Sequence, residues 1–201
     1  SSQDKSRFDY WKRMEFTKKQ WKELKIHTDD VGLKFMSSPF SIEAVHLLRD
    51  IGVYAWKIAS GELNSDEILE CISETNKEIF ISTGMSTIKE IDNSVKKIKM
   101  KGLPLTVMQC TSMYPTPPEK IGLNMLEFFK KKYNCGVGLS DHSGTIYPGL
   151  AAVTIGIDVL EVHVTLSKNM FGPDVSSSIN IEELKQLVEG SKFITNCLNK
   201  E

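Results

Sequence analysis

The chain alternates short apolar runs with amphipathic stretches, and this alternation restricts the fold more than any single motif does. The apolar runs are typical of parallel strands that are buried on both faces. They lie at 33–36, 55–59, 79–82, 105–110, 137–139 and 159–164. Helical periodicity occupies 17–30, 41–50, 65–76, 87–101, 122–133, 146–156 and 181–198. Strands and helices that alternate with short connections predict βαβ units and a parallel sheet.

The joints between these segments agree with the alternation. Ser41 stands directly before a helical segment, where a serine caps the free N–H groups of the first turn. A glycine follows several of the helical segments and precedes a strand within a few residues, as expected of left-handed helix C-caps. These glycines are Gly32, Gly52, Gly102 and Gly156.

Polar residues at the ends of the predicted strands decide between an open sheet and a barrel. They are Ser37-Ser38, Ser60-Gly61-Glu62, Ser82-Thr83-Gly84, Thr111-Ser112, Ser140-Asp141-His142, and His163 with Thr165. An open sheet collects ligand groups at one switch point, whereas a barrel mouth collects them from all strands. We therefore predict an α/β fold, a (β/α)8 TIM-type barrel that is incomplete here. Six of eight βα units are present and the first two strands are missing.

Length and composition fit one domain that uses small ligands. The 201 residues are expected to form a single partial catalytic barrel, 1–201, with 1–15 as an extension or loop. The net charge of −1 offers no field for nucleic acid. The most apolar stretch, 149–162, is too short to span a bilayer. The four cysteines lack metal or disulfide spacing, and the N-terminus does not resemble a secretory signal. We expect a cytoplasmic protein without nucleic-acid or membrane partners.

Several residues stand out for their chemistry. Lys57 interrupts an apolar strand, and a buried lysine is costly unless it meets an anion or forms a Schiff base. Glu62, just beyond that strand, could ligate a metal, pair with Lys57 or act as a base, and a solvated loop glutamate is the alternative interpretation. The run 82–86 offers hydroxyl and backbone N–H groups ahead of a helix, as in a phosphate cradle. A plain serine-glycine turn explains the same run equally well.

His142 and His163 end consecutive predicted strands, so their imidazoles are expected to lie within reach of one ion. Two histidines with open positions suit a catalytic divalent metal, while one core histidine plus one general acid is the alternative. His27 and His46 lie in helical segments and are interpreted as structural. The proline-rich loop after the fourth strand would fix the direction of Tyr114. Asp174, in a Gly-Pro-Asp turn, either reaches over the mouth or lies on the surface.

Five motifs in register resemble one known family from about residue 15 to the C-terminus, the sialic acid synthase family. The motifs are Lys57-Ile58-Ala59-Ser60-Gly61-Glu62, Ser82-Thr83-Gly84-Met85-Ser86, Cys110-Thr111-Ser112-Met113-Tyr114-Pro115-Thr116-Pro117, Gly138-Leu139-Ser140-Asp141-His142, and Glu161-Val162-His163-Val164-Thr165 with Gly172-Pro173-Asp174. The resemblance implies an aldol-type condensation of phosphoenolpyruvate with an N-acetylmannosamine-type sugar, which gives a sialic (nonulosonic) acid and phosphate.

The resemblance also implies roles for individual residues. The phosphoenolpyruvate phosphate would be held by Ser38, Lys57, Ser60, Ser82 and Gly84, and its carboxylate by Ser112 and Ser140. Tyr114 and Asp174 would contact the sugar. His142 and His163 would bind the metal, with Mn²⁺ expected and Mg²⁺ or Co²⁺ as alternatives. Lys57 would offset phosphate charge. Glu62 is the candidate for moving the water or sugar proton, although a metal-bound water would serve as well.

The chain departs from the family in lacking the first two strands and the C-terminal antifreeze-like domain, which caps the partner's site in the family's homodimer. We therefore expect little or no activity from these 201 residues alone. Two other interpretations stay open: another phosphoenolpyruvate-dependent sugar-phosphate aldol synthase, and an inactive barrel remnant that acts as an interaction subunit. The acceptor is also open, among N-acetylmannosamine, its 6-phosphate and the diamino sugars that lead to legionaminic or pseudaminic acid.

Overall fold

Six strands lie side by side in the order in which they occur along the chain, and every neighbouring pair runs parallel. The computed structural model describes residues 4–198. The strands in this range are β1 (Trp56–Ile58), β2 (Ile79–Ser82), β3 (Leu105–Cys110), β4 (Gly136–Asp141), β5 (Val159–Val164) and β6 (Ser178–Ile179). From β1 to β5, an α-helix lies between each strand and the next, as the sequence predicts.

The helices follow the predicted segments closely. Within residues 4–198 they are α1 (Arg7–Met14), α2 (Lys18–Asp30), α3 (Ile42–Ile51), α4 (Asp66–Ser73), α5 (Ile88–Met100), α6 (Asn124–Tyr133), α7 (Tyr147–Ile155) and α8 (Ile181–Leu198). The Ser41 hydroxyl accepts from the N–H of Ala44, so the predicted cap is confirmed. The predicted C-cap glycines all have a positive φ: Gly32, Gly52, Gly102 and Gly156. The interval 1–15, interpreted as an extension or loop, contains α1, which has no buried residue.

The sheet curls into an incomplete barrel, as predicted. Its inner face carries the small cluster Ala55, Phe80 and Met108, against which Val159 packs. Its outer face packs on the helices and forms the main core, with Trp56, Ile79 and Val107 among the fully buried side chains. The curl is strong enough for Lys57 on β1 to contact Glu161 on β5.

The membership of the sheet differs from the prediction at both ends. The predicted strand 33–36 is wrong: the chain makes one isolated bridge there, between Ser37 and Trp56. Leu33 is exposed and has no strand on its outer side, so the pairing that would extend it is missing. Conversely, the sequence does not predict β6, because two residues are too short for an alternation pattern. It pairs with the end of β5, Ser178 opposite His163.

The open side of the barrel lies between the two ends of the sheet. A cavity of about 550 Å³ is bounded there by Met36–Ser38 on one side and Leu160–Val162 on the other. Further strands would occupy this gap in a closed barrel. Among residues 4–198, no helix has the length and apolar character that crossing a bilayer requires.

Candidate functional site

A second cavity, of about 530 Å³, opens at the carboxyl ends of the strands. Parallel strands that alternate with helices bring all their C-terminal ends to one rim, which is where such folds carry their sites. Nine of the twelve predicted site residues line this cavity: Ser38, Lys57, Ser60, Ser82, Ser112, Tyr114, Ser140, His142 and His163. The structure therefore brings these residues together, while their individual roles remain predictions.

The other three predicted residues lie beside the cavity or outside it. Gly84 contributes its backbone N–H, which donates to Ser60 Oγ at 3.0 Å. Asp174 is exposed on the loop between β5 and β6, and its negative charge reaches Tyr114 and His163. Glu62 ends a short 3₁₀ helix and does not line the cavity, so the structure does not bring its carboxylate to the other site groups.

Lys57 and Ser140 meet on the carboxylate of Glu161, to which the sequence motifs assign no role. Glu161 Oε1 accepts from Lys57 Nζ at 2.8 Å and from Ser140 Oγ at 2.7 Å. Burial alone would raise the pKa of this carboxyl, but the charge of Lys57 and the two hydrogen bonds outweigh burial. They hold the pKa of Glu161 below its ordinary value. The carboxylate form is therefore the stable one.

The strand register explains why these groups face inward together. In a parallel ladder, paired residues point to the same side of the sheet. Cys110 pairs with Ser140, and Ser140 pairs with Glu161, so three inward positions form one row across β3, β4 and β5. Lys57 lies on the same inner face of β1, next to Phe80 of β2. The row and Lys57 together form the floor of the cavity.

One corner of the cavity depends on a glycine. A Cβ on Gly84 would lie 2.6 Å from Ser112 Oγ, 2.9 Å from Cys110 Sγ and 3.0 Å from the Ser112 nitrogen. Only a residue without a side chain allows the backbone to come this close to β3. The Ser60 hydroxyl bridges the corner, because it accepts from the N–H of Gly84 and donates to Cys110 Sγ at 3.5 Å.

Ser82 offers a hydroxyl with no internal partner. It lines the cavity, is 2% exposed, and its Oγ makes no hydrogen bond within the described part of the chain. A buried hydroxyl without a partner costs free energy and is rare in native proteins. A polar ligand in the cavity would satisfy it. This orphaned group is the strongest local indication that the cavity binds something polar.

The two histidines and Tyr114 form an aromatic cluster at the rim. The imidazole centroids of His142 and His163 are 5.1 Å apart, and the Tyr114 ring lies 4.3 Å from His142 and 5.7 Å from His163. His142 Nδ1 lies 3.0 Å from the carbonyl oxygen of Thr111. That contact favours the tautomer with hydrogen on Nδ1 and leaves Nε2 free as a ligand atom.

The surroundings shift the pKa values of this cluster in different directions. Burial lowers the pKa of His142, but the nearby Cys110 thiol and the Thr111 carbonyl outweigh it and raise that pKa. Burial and the neighbouring His142 lower the pKa of His163. Burial raises the pKa of the Cys110 thiol, but contacts with His142 and Ser60 more than compensate and lower it.

The donor set fits a metal that takes part of its coordination from a ligand or water. Within residues 4–198, no group of three or more His, Cys, Asp or Glu side chains has a metal-binding arrangement. Two neighbouring imidazoles, one with its Nε2 left free, match a site with open positions rather than a closed structural site. The residues present are therefore compatible with the predicted ion.

Thr116 forms hydrogen bonds that connect two segments of the cavity rim. It is 4% exposed, and its N–H donates to the carbonyl oxygen of His142 at 2.9 Å. Its hydroxyl contacts the carbonyl oxygens of Met113 at 2.7 Å and Thr111 at 3.3 Å. Thr116 thus connects the segment that carries Tyr114 to the strand end that carries His142.

The sequence contains a signal for Glu161, although the motifs assign it no role. It interrupts an apolar strand just as Lys57 does, and its alternation with His163 places both on one face. A charged residue in each of two buried strands of one sheet suggests an ion pair across the interior. For Cys110 no such signal exists, because a buried cysteine is common and its neighbours become visible only in three dimensions.

Comparison with known proteins identifies the family of the chain. The model of the NeuB family matches residues 1–201. N,N'-diacetyllegionaminic acid synthase of Campylobacter jejuni is 36% identical over 190 residues, which cover 93% of this chain and 57% of that protein. Human N-acetylneuraminate-9-phosphate synthase is 30% identical over 191 residues, with 94% and 53% covered.

A solved structure shows the same architecture. The N-acetylneuraminic acid (sialic acid) synthetase of Leptospira borgpetersenii superposes with a TM-score of 0.89 at 31% identity, over 92% of this chain and 65% of that one. The chain spans little more than half the length of each of these two curated relatives.

Proposed function

The chain belongs to the NeuB family, and on that premise we propose that it carries part of the site of a phosphoenolpyruvate-dependent nonulosonic acid synthase. The observation that carries the proposal is the convergence of nine predicted site residues on one polar cavity that contains the unpartnered Ser82 hydroxyl. The acceptor is proposed to be an N-acetylmannosamine-type sugar. The names of the relatives are those of N,N'-diacetyllegionaminic acid, N-acetylneuraminate-9-phosphate and pseudaminic acid synthases.

The proposed reaction joins C3 of phosphoenolpyruvate to the aldehyde carbon of the open-chain sugar. Water then adds at C2, and the resulting intermediate loses phosphate by cleavage of the C–O bond. Each turnover consumes one water and releases one phosphate. The protein's task is to bind two polar reactants side by side and to stabilise the charge that develops between them.

The phosphate is proposed to lie against Lys57, Ser60, Ser82 and the N–H of Gly84, with Ser38 on the adjoining edge. One lysine, three hydroxyls and a backbone amide are suitable donors for a phosphate. Ser140 and Ser112 are proposed to hold the carboxylate, which places C2 near Glu161. Ser140 donates its only hydrogen to Glu161 in the free chain, so its hydroxyl must rotate toward the ligand to hold the carboxylate.

His142 and His163 are proposed to hold a divalent ion, Mn²⁺ in the first instance. When bound there, such an ion would polarise the sugar carbonyl as a Lewis acid. Thr111 fixes the ring orientation of His142 through Nδ1. Tyr114 and Asp174 are proposed to contact the sugar, since both lie beside the histidine pair. For Glu62, the proposed role in proton transfer requires a movement of its loop toward the cavity.

The alternative aldol synthase would need a second basic pocket for a sugar phosphate. The cavity lining contains one basic side chain of lysine type, Lys57. Lys168, the other candidate, is held by Glu183 at 2.7 Å and by the Gly144 carbonyl at 3.1 Å. An unphosphorylated acceptor therefore fits these residues better.

The test combines binding and turnover. Isothermal calorimetry with Mn²⁺ present should detect phosphoenolpyruvate binding to the chain, with pyruvate as the control ligand that lacks phosphate. Phosphate release with phosphoenolpyruvate and N-acetylmannosamine should be little or none, because the barrel is open on one side. Absence of phosphoenolpyruvate binding would refute the proposed site, and full turnover would refute the expected inactivity. A homodimer and a cytoplasmic location are further proposals, and sedimentation would test the first.

A further inference from the structure

Glu161 occupies the centre of the cavity floor, and neither Lys57 nor Ser140 has another hydrogen-bond partner for its side-chain donor within the described residues. The two donors come from β1, at one end of the sheet, and from β4 in its interior. Both contact the same atom, Oε1. The arrangement therefore does more than neutralise the charge of Lys57, because Ser140 fixes the acceptor atom that holds the lysine.

We propose that Glu161 is a positioning residue for phosphoenolpyruvate: its Oε1, anchored by Ser140, holds Lys57 in place for the phosphate. This inference rests on the proposed function. Lysine has three N–H donors, and Glu161 uses one of them, so two remain for a phosphate. Ser140 gives its only hydrogen to Glu161, so it anchors Oε1 in the free chain.

The apolar side chains around Lys57 explain why a carboxylate is needed to hold it in place. Below Lys57 the inner face consists of Phe80, Met108 and Val159, which offer no hydrogen-bond partner. The side chain of Lys57 is 13% exposed. Without Glu161, the ammonium group would lose its anion in a half-buried site and would turn toward solvent. The phosphate would then have to order a mobile lysine on binding, at a cost in conformational entropy.

Two competing roles for Glu161 lead to different changes in affinity. If Glu161 only ties β5 to β1, its loss lowers stability and leaves the affinity for phosphoenolpyruvate unchanged. If its charge mainly repels the anionic ligand, its loss makes binding tighter. The positioning role predicts weaker binding when the charge or the reach of the side chain is altered. The direction of the change in Kd thus distinguishes the three roles.

The experiment compares Glu161→Gln and Glu161→Asp with the parent chain in the presence of Mn²⁺. Glu161→Gln keeps the shape and removes the charge, while Glu161→Asp keeps the charge and shortens the reach. Calorimetry should give a Kd for phosphoenolpyruvate that is larger by about tenfold in both. Glu70→Gln is the matched control, because it breaks the exposed ion pair with Lys101 and should leave the Kd unchanged.

A second measurement needs no ligand. The ¹H–¹³C signal of the Lys57 Cε methylene, assigned through Lys57→Arg, should shift in Glu161→Gln toward the position of a solvated lysine. It should stay in place in Glu70→Gln. An unchanged signal, or a Kd that is equal to or smaller than that of the parent, would overturn the positioning role. If the parent chain itself does not bind phosphoenolpyruvate, the proposed function fails, and the Lys57 signal still decides whether Glu161 positions the lysine.

Discussion

His142 Nδ1 lies 3.0 Å from the carbonyl oxygen of Thr111, and this contact determines which ring nitrogen faces the cavity. Because Nδ1 is occupied, Nε2 is the atom available to an ion, and His163 stands beside it at the end of the next strand. The contact thus gives the histidine pair a defined orientation in the absence of any ligand.

Removing either histidine should abolish divalent metal binding. A site with two protein imidazoles loses half of its protein donors in His142→Ala or His163→Ala, and what remains does not retain the ion. Titration of Mn²⁺ followed by electron paramagnetic resonance of the free ion should show one site in the parent and none in either variant. His46→Ala is the control, since His46 lies on α3 and contacts Arg49. Retention of the site in His163→Ala would contradict the proposed ligand pair.

Thr116→Val should weaken metal binding without touching the metal. The substitution removes the hydroxyl that contacts the Met113 and Thr111 carbonyls, and so loosens the segment that orients His142. We expect the Mn²⁺ affinity to fall by about tenfold, in the range found for groups that orient metal ligands. The free energy of unfolding should fall by about 1 kcal/mol, because part-buried carbonyl oxygens lose their hydroxyl donor. Unchanged metal affinity with reduced stability would limit Thr116 to a structural role.

Ser82→Ala should separate ligand binding from stability. The Ser82 hydroxyl is buried and has no partner within the described residues, so its removal should leave the free chain as stable or raise its stability by up to about 1 kcal/mol. The affinity for phosphoenolpyruvate should fall, because the ligand loses a hydrogen bond. Urea unfolding and calorimetry measure the two effects.

Ser94→Ala provides the opposite case to Ser82→Ala. The Ser94 hydroxyl is also buried but donates to the Leu63 carbonyl at 2.9 Å, away from the cavity. Its removal should cost about 1 kcal/mol of stability and leave ligand binding intact. A stability loss in Ser82→Ala similar to that in Ser94→Ala would mean that Ser82 has an internal partner in solution.

Gly84→Ala should disrupt the phosphate corner. The added Cβ would lie 2.6 Å from Ser112 Oγ and 3.0 Å from its backbone nitrogen, and the backbone cannot yield as a flexible side chain can. We expect the free energy of unfolding to fall by about 1–3 kcal/mol. We also expect phosphoenolpyruvate binding to be lost. Gly61→Ala is the matched control, because its Cβ would meet nothing within 4 Å. Thermal unfolding with and without ligand compares the two, and equal behaviour would contradict the close approach.

An acid-sensitive contact between α5 and α6 gives a pH prediction. Hydrogen bonds from Lys132 and Tyr133 hold the pKa of Asp92 below its ordinary value. The charged carboxylate therefore stabilises the folded chain above the unfolded-state pKa of about 3.9, and this contribution disappears as the pH falls through the lower folded-state value. Asp92→Asn should lower the Tm at pH 7, and the difference from the parent should shrink below pH ~4.

The control for Asp92→Asn is Glu127→Gln, which breaks the exposed pair with Lys131 within α6. Exposed pairs of this kind contribute little, so its Tm should match that of the parent at every pH. A difference for Asp92→Asn that is constant down to pH 2 would show that the contact does not depend on the carboxylate charge.

The sequence predicts most of the sheet because its central strands are buried on both faces and read as continuous apolar runs. It fails at the two ends. The run 33–36 has the composition of a strand but no partner on its outer side, and β6 is too short to carry a pattern. Whether such a segment forms a strand depends on a neighbouring strand to pair with, and a single sequence does not show which segments pair.

The site is predictable to a similar degree. Motif residues at strand ends converge because the topology brings all strand ends to one rim. Glu62 shows the limit of that logic, since a residue a few positions past a strand end can turn away on a short helix. Glu161 shows the converse, because its importance depends on a partner on β1 that only the curl of the sheet brings near.

The ion pair between Lys57 and Glu161 also has a consequence for how the chain is made. The two residues are 104 positions apart, and everything between them, from β2 to β4, must be in place before they meet. During synthesis the cavity floor cannot form until the ribosome has released the strand that carries Glu161. Contacts of such long sequence separation form late in folding and slowly. A nascent or clipped chain that lacks β5 would therefore hold most of the motif residues and still be unable to bind the ligand.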